Sequence, residues 1–351
     1  MRLGRLRWIA AAPLALCVGA LFSGQGRTIK DSLGRTVDIP QRVERILSLQ
    51  PEITRLLAAL GVTDRLVGLD YFIGREDHLF KVLFPGGTGL PVVSRPDESV
   101  NKEFILRLNP DLIFASPTEL QVPDSIQSSL GIPVAALASL GSFEGLLREI
   151  ELVGALTGST ERAGELERYF RRRLESISET AAQSAATERP TAYLAFWSSL
   201  LRTPVSYEPI EAAGGRNVAG RLLPPHLGTI GTVITIEQII KWDPDFILVQ
   251  GNFLPRERRV TVEGVLGDKR LASLRAVKEK RIRYTLGFWY WWDPAGVLVE
   301  TLYLAKLFHP ERFTGFDLER EGNSIYEVFY RKQGIFTELM KAMDFREWTN
   351  E

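Results

Sequence analysis

The feature that most narrows the fold is a unit that occurs twice. Asn101-Lys102-Glu103-Phe104-Ile105-Leu106-Arg107-Leu108-Asn109-Pro110-Asp111-Leu112-Ile113-Phe114 lies in the first half of the chain. Thr235-Ile236-Glu237-Gln238-Ile239-Ile240-Lys241-Trp242-Asp243-Pro244-Asp245-Phe246-Ile247-Leu248 lies in the second. Both run cap residue, glutamate, short apolar helix, Pro-Asp turn and apolar strand, with glutamate and proline seven residues apart. Proline has no N–H to continue a helix and biases the residue before it away from helical angles. The apolar run that follows reads as a buried strand. One copy in each half predicts two lobes of like construction.

The surrounding pattern agrees. Val43–Leu49, Leu66–Leu69, Asp111–Ala115 and Val134–Leu137 read as strands, and Glu52–Leu60 as a helix stopped by Gly61. Phe143–Leu156 is amphipathic, and Ser159 to about Ala186 continues as a long helix whose charge run makes a solvated face. Arg189-Pro190 breaks it. Thr191–Phe196, Phe246–Val249 and Arg281–Thr285 are the later strands, and Gly296–Phe308 and Ser324–Met343 are helical. Strands alternating with helices predict an α/β fold: two Rossmann-like lobes with mainly parallel sheets joined by one long helix. At 351 residues the chain is long enough for two domains. The expected division is an N-terminal lobe over 27–155, a connecting helix over 156–188 and a C-terminal lobe with terminal helices over 189–351. A long connecting helix also predicts limited closure.

The first 26 residues read as a signal peptide. Arg2, Arg5 and Arg7 precede an uncharged apolar run from Trp8 to Phe22, followed by small polar residues. A spanning helix needs about 20 apolar residues, and this run is shorter and interrupted by Pro13. Cys17, the single cysteine, follows Leu16 where a lipoprotein signal has a small residue. Simple export to a periplasmic or cell-surface location is therefore expected, with a lipid anchor the lesser alternative. Cleavage after Cys17 leaves no cysteine for disulfides, zinc thiolates or nucleophilic catalysis. Lys+Arg and Asp+Glu each total 43, a balance that argues against a nucleic-acid binder.

The sequence resembles the periplasmic binding proteins of ABC importers for iron-siderophore, haem and cobalamin uptake. The resemblance covers about Thr28 to Phe313 and is carried by Asp31–Val37, Ser48–Thr54, Ala59-Leu60-Gly61, the two Glu-to-Pro-Asp units, Ala213–Val218 and Leu304–Pro310. It implies a monomeric carrier without a cofactor of its own, whose transported ligand contains a chelated metal. A ferric siderophore comes first, with haem, a corrinoid or a molybdate-type oxyanion behind it. The resemblance further implies that Glu103 and Glu237 each meet arginines on the importer's membrane subunits. Such charges orient and speed an encounter, although each glutamate also sits where it favours its own helix dipole.

Ligands of open α/β sheets lie beyond the carboxyl ends of the strands. Gln50, Asp70, Tyr71, Phe72, Ser94, Arg95 and Ser116 hold such places in the first lobe. Trp197, Ser198, Arg202, Gln250, Asn252 and the run Phe288-Trp289-Tyr290-Trp291-Trp292 hold them in the second. The binding candidates are Gln50, Tyr71, Arg95, Trp197, Arg202, Asn252, Trp289, Tyr290 and Trp291. Aromatic rings suit a bulky ligand, and guanidinium groups suit a carboxylate, catecholate or oxyanion. His78, His226 and His309 are too scattered for a bare-metal site. No Gly-x-Ser-x-Gly, His-Glu-x-x-His or P-loop pattern occurs, so an exported enzyme is the weaker alternative, as is a non-transport sensor on the same fold.

Overall fold

The computed structural model describes residues 26–95, 99–116, 123–137, 142–182, 189–222, 231–252, 257–287 and 293–345. The chain enters as an antiparallel hairpin of β1 (Gly26–Lys30) and β2 (Thr36–Pro40), which the sequence pattern did not disclose. Its turn is built on Asp31, whose carboxylate accepts from the backbone N–H of Leu33 and Arg35 at 3.0 Å. The same carboxylate accepts from the N–H of Ala136 at 3.1 Å, which ties the hairpin to the first lobe.

That lobe runs β3 (Ile46–Ser48), α1 (Pro51–Leu60), β4 (Leu66–Leu69), α2 (His78–Leu83), α3 (Lys102–Leu108), β5 (Leu112–Ala115), α4 (Pro123–Leu130) and β6 (Val134–Ala136). Helix α1 starts with proline and ends at Gly61, whose φ of 75° is left-handed, as the sequence signals predicted. The strands pair in parallel in the order β4-β3-β5-β6. Both faces of β3, β5 and β6 are buried, which is why they read as continuous apolar runs.

Helices α5 (Phe143–Thr157) and α6 (Thr160–Ala182) follow. The 23 residues of α6 span about 34 Å at 1.5 Å each. Its buried stripe is Ala163, Leu166, Phe170, Ile177 and Ala181.

The second lobe runs β7 (Thr191–Ala195), β8 (Arg202–Thr203), α7 (Glu208–Ala212), β9 (Arg216–Asn217), β10 (Thr232–Val233), α8 (Ile236–Trp242), β11 (Phe246–Gln250), α9 (Val262–Gly267), α10 (Arg275–Lys278), β12 (Ile282–Thr285) and α11 (Pro294–Phe308). Its parallel sheet has the order β12-β11-β7-β9. Read from the other side this is β9-β7-β11-β12, which matches β4-β3-β5-β6 place for place.

The repeated unit is repeated in detail. Helices α3 and α8 both end on a left-handed residue, Asn109 with φ 44° and Asp243 with φ 42°. The aspartate two residues on then braces the neighbouring strand. Asp111 Oδ2 accepts from the N–H of Glu44 and Arg45 at 2.9 and 2.8 Å, just ahead of β3. Asp245 Oδ2 accepts from the N–H and hydroxyl of Thr191 at 2.8 and 2.7 Å, where β7 begins.

The chain's last helices depart from expectation. Ser324–Met343 is two helices, α12 (Leu318–Tyr330) and α13 (Ile335–Met343), separated by the left-handed residues Arg331 and Gly334. They follow the second lobe in sequence, yet α12 packs on α1 and α13 on α2, both of the first lobe. Helix α6 joins the same junction: Arg162 Nε donates to Ala59 O at 3.3 Å and Nη2 to Phe329 O at 3.1 Å. Lys332 Nζ donates to Val82 O at 2.6 Å. One apolar core, which includes Ile53, Leu56, Phe170, Leu298, Phe329 and Phe336, therefore runs through both halves. Among the described residues no helix is long and apolar enough to cross a membrane.

Candidate functional site

Because each main sheet is parallel, the carboxyl ends of its strands share one edge, and the candidate residues follow those ends. Gln50, beyond β3, is fully buried and already engaged. Its Nε2 donates to Glu52 Oε1 at 2.7 Å and also to Leu137 O beyond β6, so the amide fastens two strand ends together. Only its Oε1 has no hydrogen-bond partner. Gln250 has a similar task in the second lobe. Its Oε1 accepts from Trp197 N–H at 2.6 Å, and its Nε2 donates to Gly287 O at 3.2 Å.

Tyr71 is half-buried beyond β4, and its N–H donates to Ser94 Oγ at 2.7 Å. Arg95 is exposed, and its backbone N–H donates to Ser99 O at 2.9 Å. Asp70 is buried; its Oδ1 accepts from Ile73 N–H at 3.0 Å while Oδ2 has no partner. Burial pushes its carboxyl up to about 7.

Trp197 is placed by a feature with no sequence signature. Phe196 and Ser199 bridge across a two-residue turn, closed by Ser199 N–H donating to Phe196 O at 3.2 Å. The central residues, Trp197 and Ser198, have φ of 54° and 52°. Two consecutive positive φ values mark a type I′ turn, which ordinarily takes Asn-Gly. Non-glycine residues held there are strained and point to function. The turn leaves the indole 38% exposed beyond β7. Arg202, half-buried in β8, closes the loop by accepting from Phe196 N–H at 2.9 Å through its carbonyl.

Asn252 faces the other lobe. It lines a cavity of about 50 Å³ with Arg55, Phe72, Asp77, His78 and Asp293. Its Oδ1 has no partner. Arg55 Nε donates to Asp77 Oδ2 at 3.0 Å, so that guanidinium is already balanced and the cavity offers an anion no net positive charge. Its size suits one or two waters. Asp293 caps α11 through the N–H of Ala295 and Gly296 and accepts from the hydroxyls of Tyr326 and Tyr330 at 2.6 and 2.5 Å. Helix α12 thus holds the residue that opens α11. Sequence reasoning missed this node because its members lie far apart in the chain.

A second missed feature is a pair of buried acids behind Gln50. Glu52 on α1 and Glu149 on α5 are 1% and 4% exposed. Glu52 Oε2 and both oxygens of Glu149 have no hydrogen-bond partner. Burial pushes Glu52 up to about 7 and Glu149 well above its ordinary range, the second also through the nearby Glu52.

Glu103 and Glu237 are exposed in the first turns of α3 and α8, capped by Asn101 and Thr235. Three residues on, each helix exposes an apolar side chain: Leu106 at 50% and Ile240 at 37%. Trp289, Tyr290 and Trp291, with the rest of the aromatic run, lie outside the described residues, as do His226 and Cys17. Among the described residues no three His, Cys, Asp or Glu side chains are grouped to hold a metal.

The family model described as periplasmic binding protein matches residues 46–286, which span both parallel sheets. The molybdate-binding protein MolA of Haemophilus influenzae is 26% identical over 337 residues, 87% of this chain and 91% of its own. Its molybdate-bound structure superposes with a TM-score of 0.70 at 24% identity, covering 88% of this chain and 98% of that one. A cobalamin-binding protein of Halobacterium salinarum is 25% identical over 230 residues, 63% of this chain and 58% of its own. With two like-ordered parallel sheets and a matching model across both, the chain belongs to the periplasmic binding protein family.

Proposed function

We propose that this protein is an exported carrier that captures a small metal-bearing ligand between its two sheets and hands it to an ABC importer. The observation that carries the reading is the family match across both sheets. Three features support a cleft: the aligned strand ends, the exposed Trp197 on its strained turn, and the exposed Arg95 with the half-buried Tyr71 and Arg202 beside those ends. Binding candidates remain Tyr71, Arg95, Trp197, Arg202 and Asn252, with Trp289, Tyr290 and Trp291. Gln50 acts mainly by fixing the floor on which they stand.

The sequence placed a ferric siderophore first. Similarity to a molybdate-binding protein over 87% of the chain moves a molybdate-type oxyanion ahead of ferric chelates, haem and corrinoids. Arg95 and Arg202 supply the charge such an anion needs. Titration of the purified protein with molybdate, a ferric siderophore, haem and cobalamin, followed by its tryptophan fluorescence, tests this directly. Molybdate is expected to give a saturable change that Trp197→Ala diminishes. Saturation by a ferric chelate, haem or cobalamin with no response to molybdate would refute the oxyanion; no response to any would refute the carrier.

A further inference from the structure

The amide of Gln250 joins two segments on which the candidate site depends. Gln250 is the last residue of β11, the strand between β7 and β12, and is 7% exposed. Its Oε1 accepts from the N–H of Trp197, beyond β7, at 2.6 Å. Its Nε2 donates to the carbonyl of Gly287, beyond β12, at 3.2 Å. Both polar atoms of one buried amide are thus engaged, each by the backbone of a different neighbouring strand end. Gln50 does less in the first lobe: its Nε2 reaches Leu137 beyond β6, but among the described residues its Oε1 has no hydrogen-bond partner.

The two segments meet this side chain in different ways. The bond that closes the Phe196–Ser199 turn uses the Ser199 N–H, so it does not fix the N–H of Trp197. Gln250 holds that N–H from outside the turn, at the first of the two strained positions, φ 54°. At the other end Gly287 has φ 62°, and a Cβ there would stand 2.7 Å from Gln250 Cγ and 2.9 Å from its Cβ. Glycine alone allows both that angle and that approach. The residue before it is held as well, since Leu286 N–H donates to Glu300 of α11 at 2.9 Å and the Tyr207 hydroxyl donates to the same carboxylate at 3.0 Å. Gly287 is therefore a fixed point, and Phe288-Trp289-Tyr290-Trp291-Trp292 follows it directly in the sequence.

We propose that Gln250 is a positioning residue for ligand binding: one amide sets the Trp197 turn against the backbone from which the aromatic run departs. The inference rests on the proposed carrier function. Buried and bonded at both amide atoms, Gln250 acts on a ligand through Trp197, whose indole is 38% exposed. A change on either side of the amide is then felt on the other.

The test labels the protein with 5-fluorotryptophan and reads its fluorine NMR spectrum without ligand, the Trp197 resonance being the one missing in Trp197→Phe. Gln250→Ala should move or broaden that resonance. Gln250→Glu, which keeps an oxygen for the Trp197 N–H, should leave it nearer its parent position. Gly287→Ala should move it in the parent but not in the Gln250→Ala background; its effect on the parent, with that of Gln250→Glu, tests the link even where Gln250→Ala fails to fold. In titrations with molybdate, a ferric siderophore, haem and cobalamin, the compound that saturates the parent should show a Kd about tenfold higher in Gln250→Ala, the scale of one lost hydrogen bond. Adding Gln250→Ala to Trp197→Ala should bring no further rise. A Trp197 resonance indifferent to Gln250→Ala and Gly287→Ala, or losses of affinity that add across Gln250 and Trp197, would overturn the proposal. A parent that binds none of the four compounds would refute the carrier and with it the ligand role, while the resonance still reports whether Gln250 places Trp197.

Discussion

Glu52→Gln should flatten the dependence of stability on pH. Glu52 sits in the first turn of α1, where the helix dipole favours a negative charge by about 0.3–2 kcal/mol. Burial outweighs that benefit: among the described residues Oε2 has no partner and the Gln50 amide is the side-chain donor to Oε1, at 2.7 Å. The carboxyl is thereby raised from 4.5 to about 7. Between those values the folded chain holds a proton that the unfolded chain has released. The contribution is fully present below pH 4.5 and is lost as pH rises through 7. The interval corresponds to roughly 3 kcal/mol. Asp70, also raised to about 7, and Glu149 slope the same way, whereas His78 and His309, lowered by burial, slope oppositely below their ordinary 6.5. The difference between parent and variant reports Glu52 together with the part of Glu149's shift that Glu52 causes. Urea unfolding of the ligand-free proteins from pH 4.5 to 8 measures it. Glutamine should match the parent at the acid end and gain about 2–3 kcal/mol on it by pH 8. Parallel curves for the two proteins would refute the assignment of a proton to this carboxyl.

Trp197→Asn with Ser198→Gly puts the residues a type I′ turn prefers at φ 54° and 52°. Melting curves should show a gain of about 1 kcal/mol, while ligand titration shows weaker binding. Glu103→Ala with Glu237→Ala should abolish importer-dependent uptake and leave ligand affinity intact. Leu106→Ser with Ile240→Ser should weaken complex formation with the importer in a pull-down, since both side chains are exposed on the same helices. Asp293→Ala leaves the Tyr326 and Tyr330 hydroxyls without their acceptor and α11 without its cap. Chemical denaturation should register a loss of about 2–4 kcal/mol.

What the sequence disclosed was the part of the fold that is punctuated locally. Gly61 and the two Pro-Asp turns mark real element ends, and apolar runs mark strands covered on both faces. The break between α12 and α13 escaped because apolar periodicity continues across it and Arg331, at φ 54°, is not a residue that announces a left-handed turn. Glu52 and Glu149 escaped for the opposite reason: a glutamate in a helical pattern reads as solvated, and burial comes from packing between α1 and α5. Of the candidate site, positions after strand ends were legible, but side-chain direction was not. Gln50 turns inward to Leu137, whereas Trp197 is thrown outward by backbone angles that Trp-Ser does not advertise.

The attachment of the last helices alters what the long connecting helix can do. A lone helix of about 34 Å between two lobes would still bend. Here α6 packs on α5 in front of it and on α7 and α11 behind it. Arg162 of α6 also reaches both α1 and α12 at one point. Helix α12 in turn holds Asp293, which opens α11, and α13 lies on α2. Opening the lobes as rigid halves would have to separate α12 and α13 from the first lobe or from α11. Either break exposes part of one continuous core, at about 25 cal/mol for each Å² of apolar surface. On the proposed function, ligand entry and release would then fall to the segments beyond the strand ends, where Trp197 stands on a strained turn, and to small tilts of the sheets. A carrier built this way would present Glu103 and Glu237 at a nearly constant separation whether loaded or empty. On the proposed function, an importer that meets both glutamates would have to sense the ligand through those end segments rather than through the distance between Glu103 and Glu237.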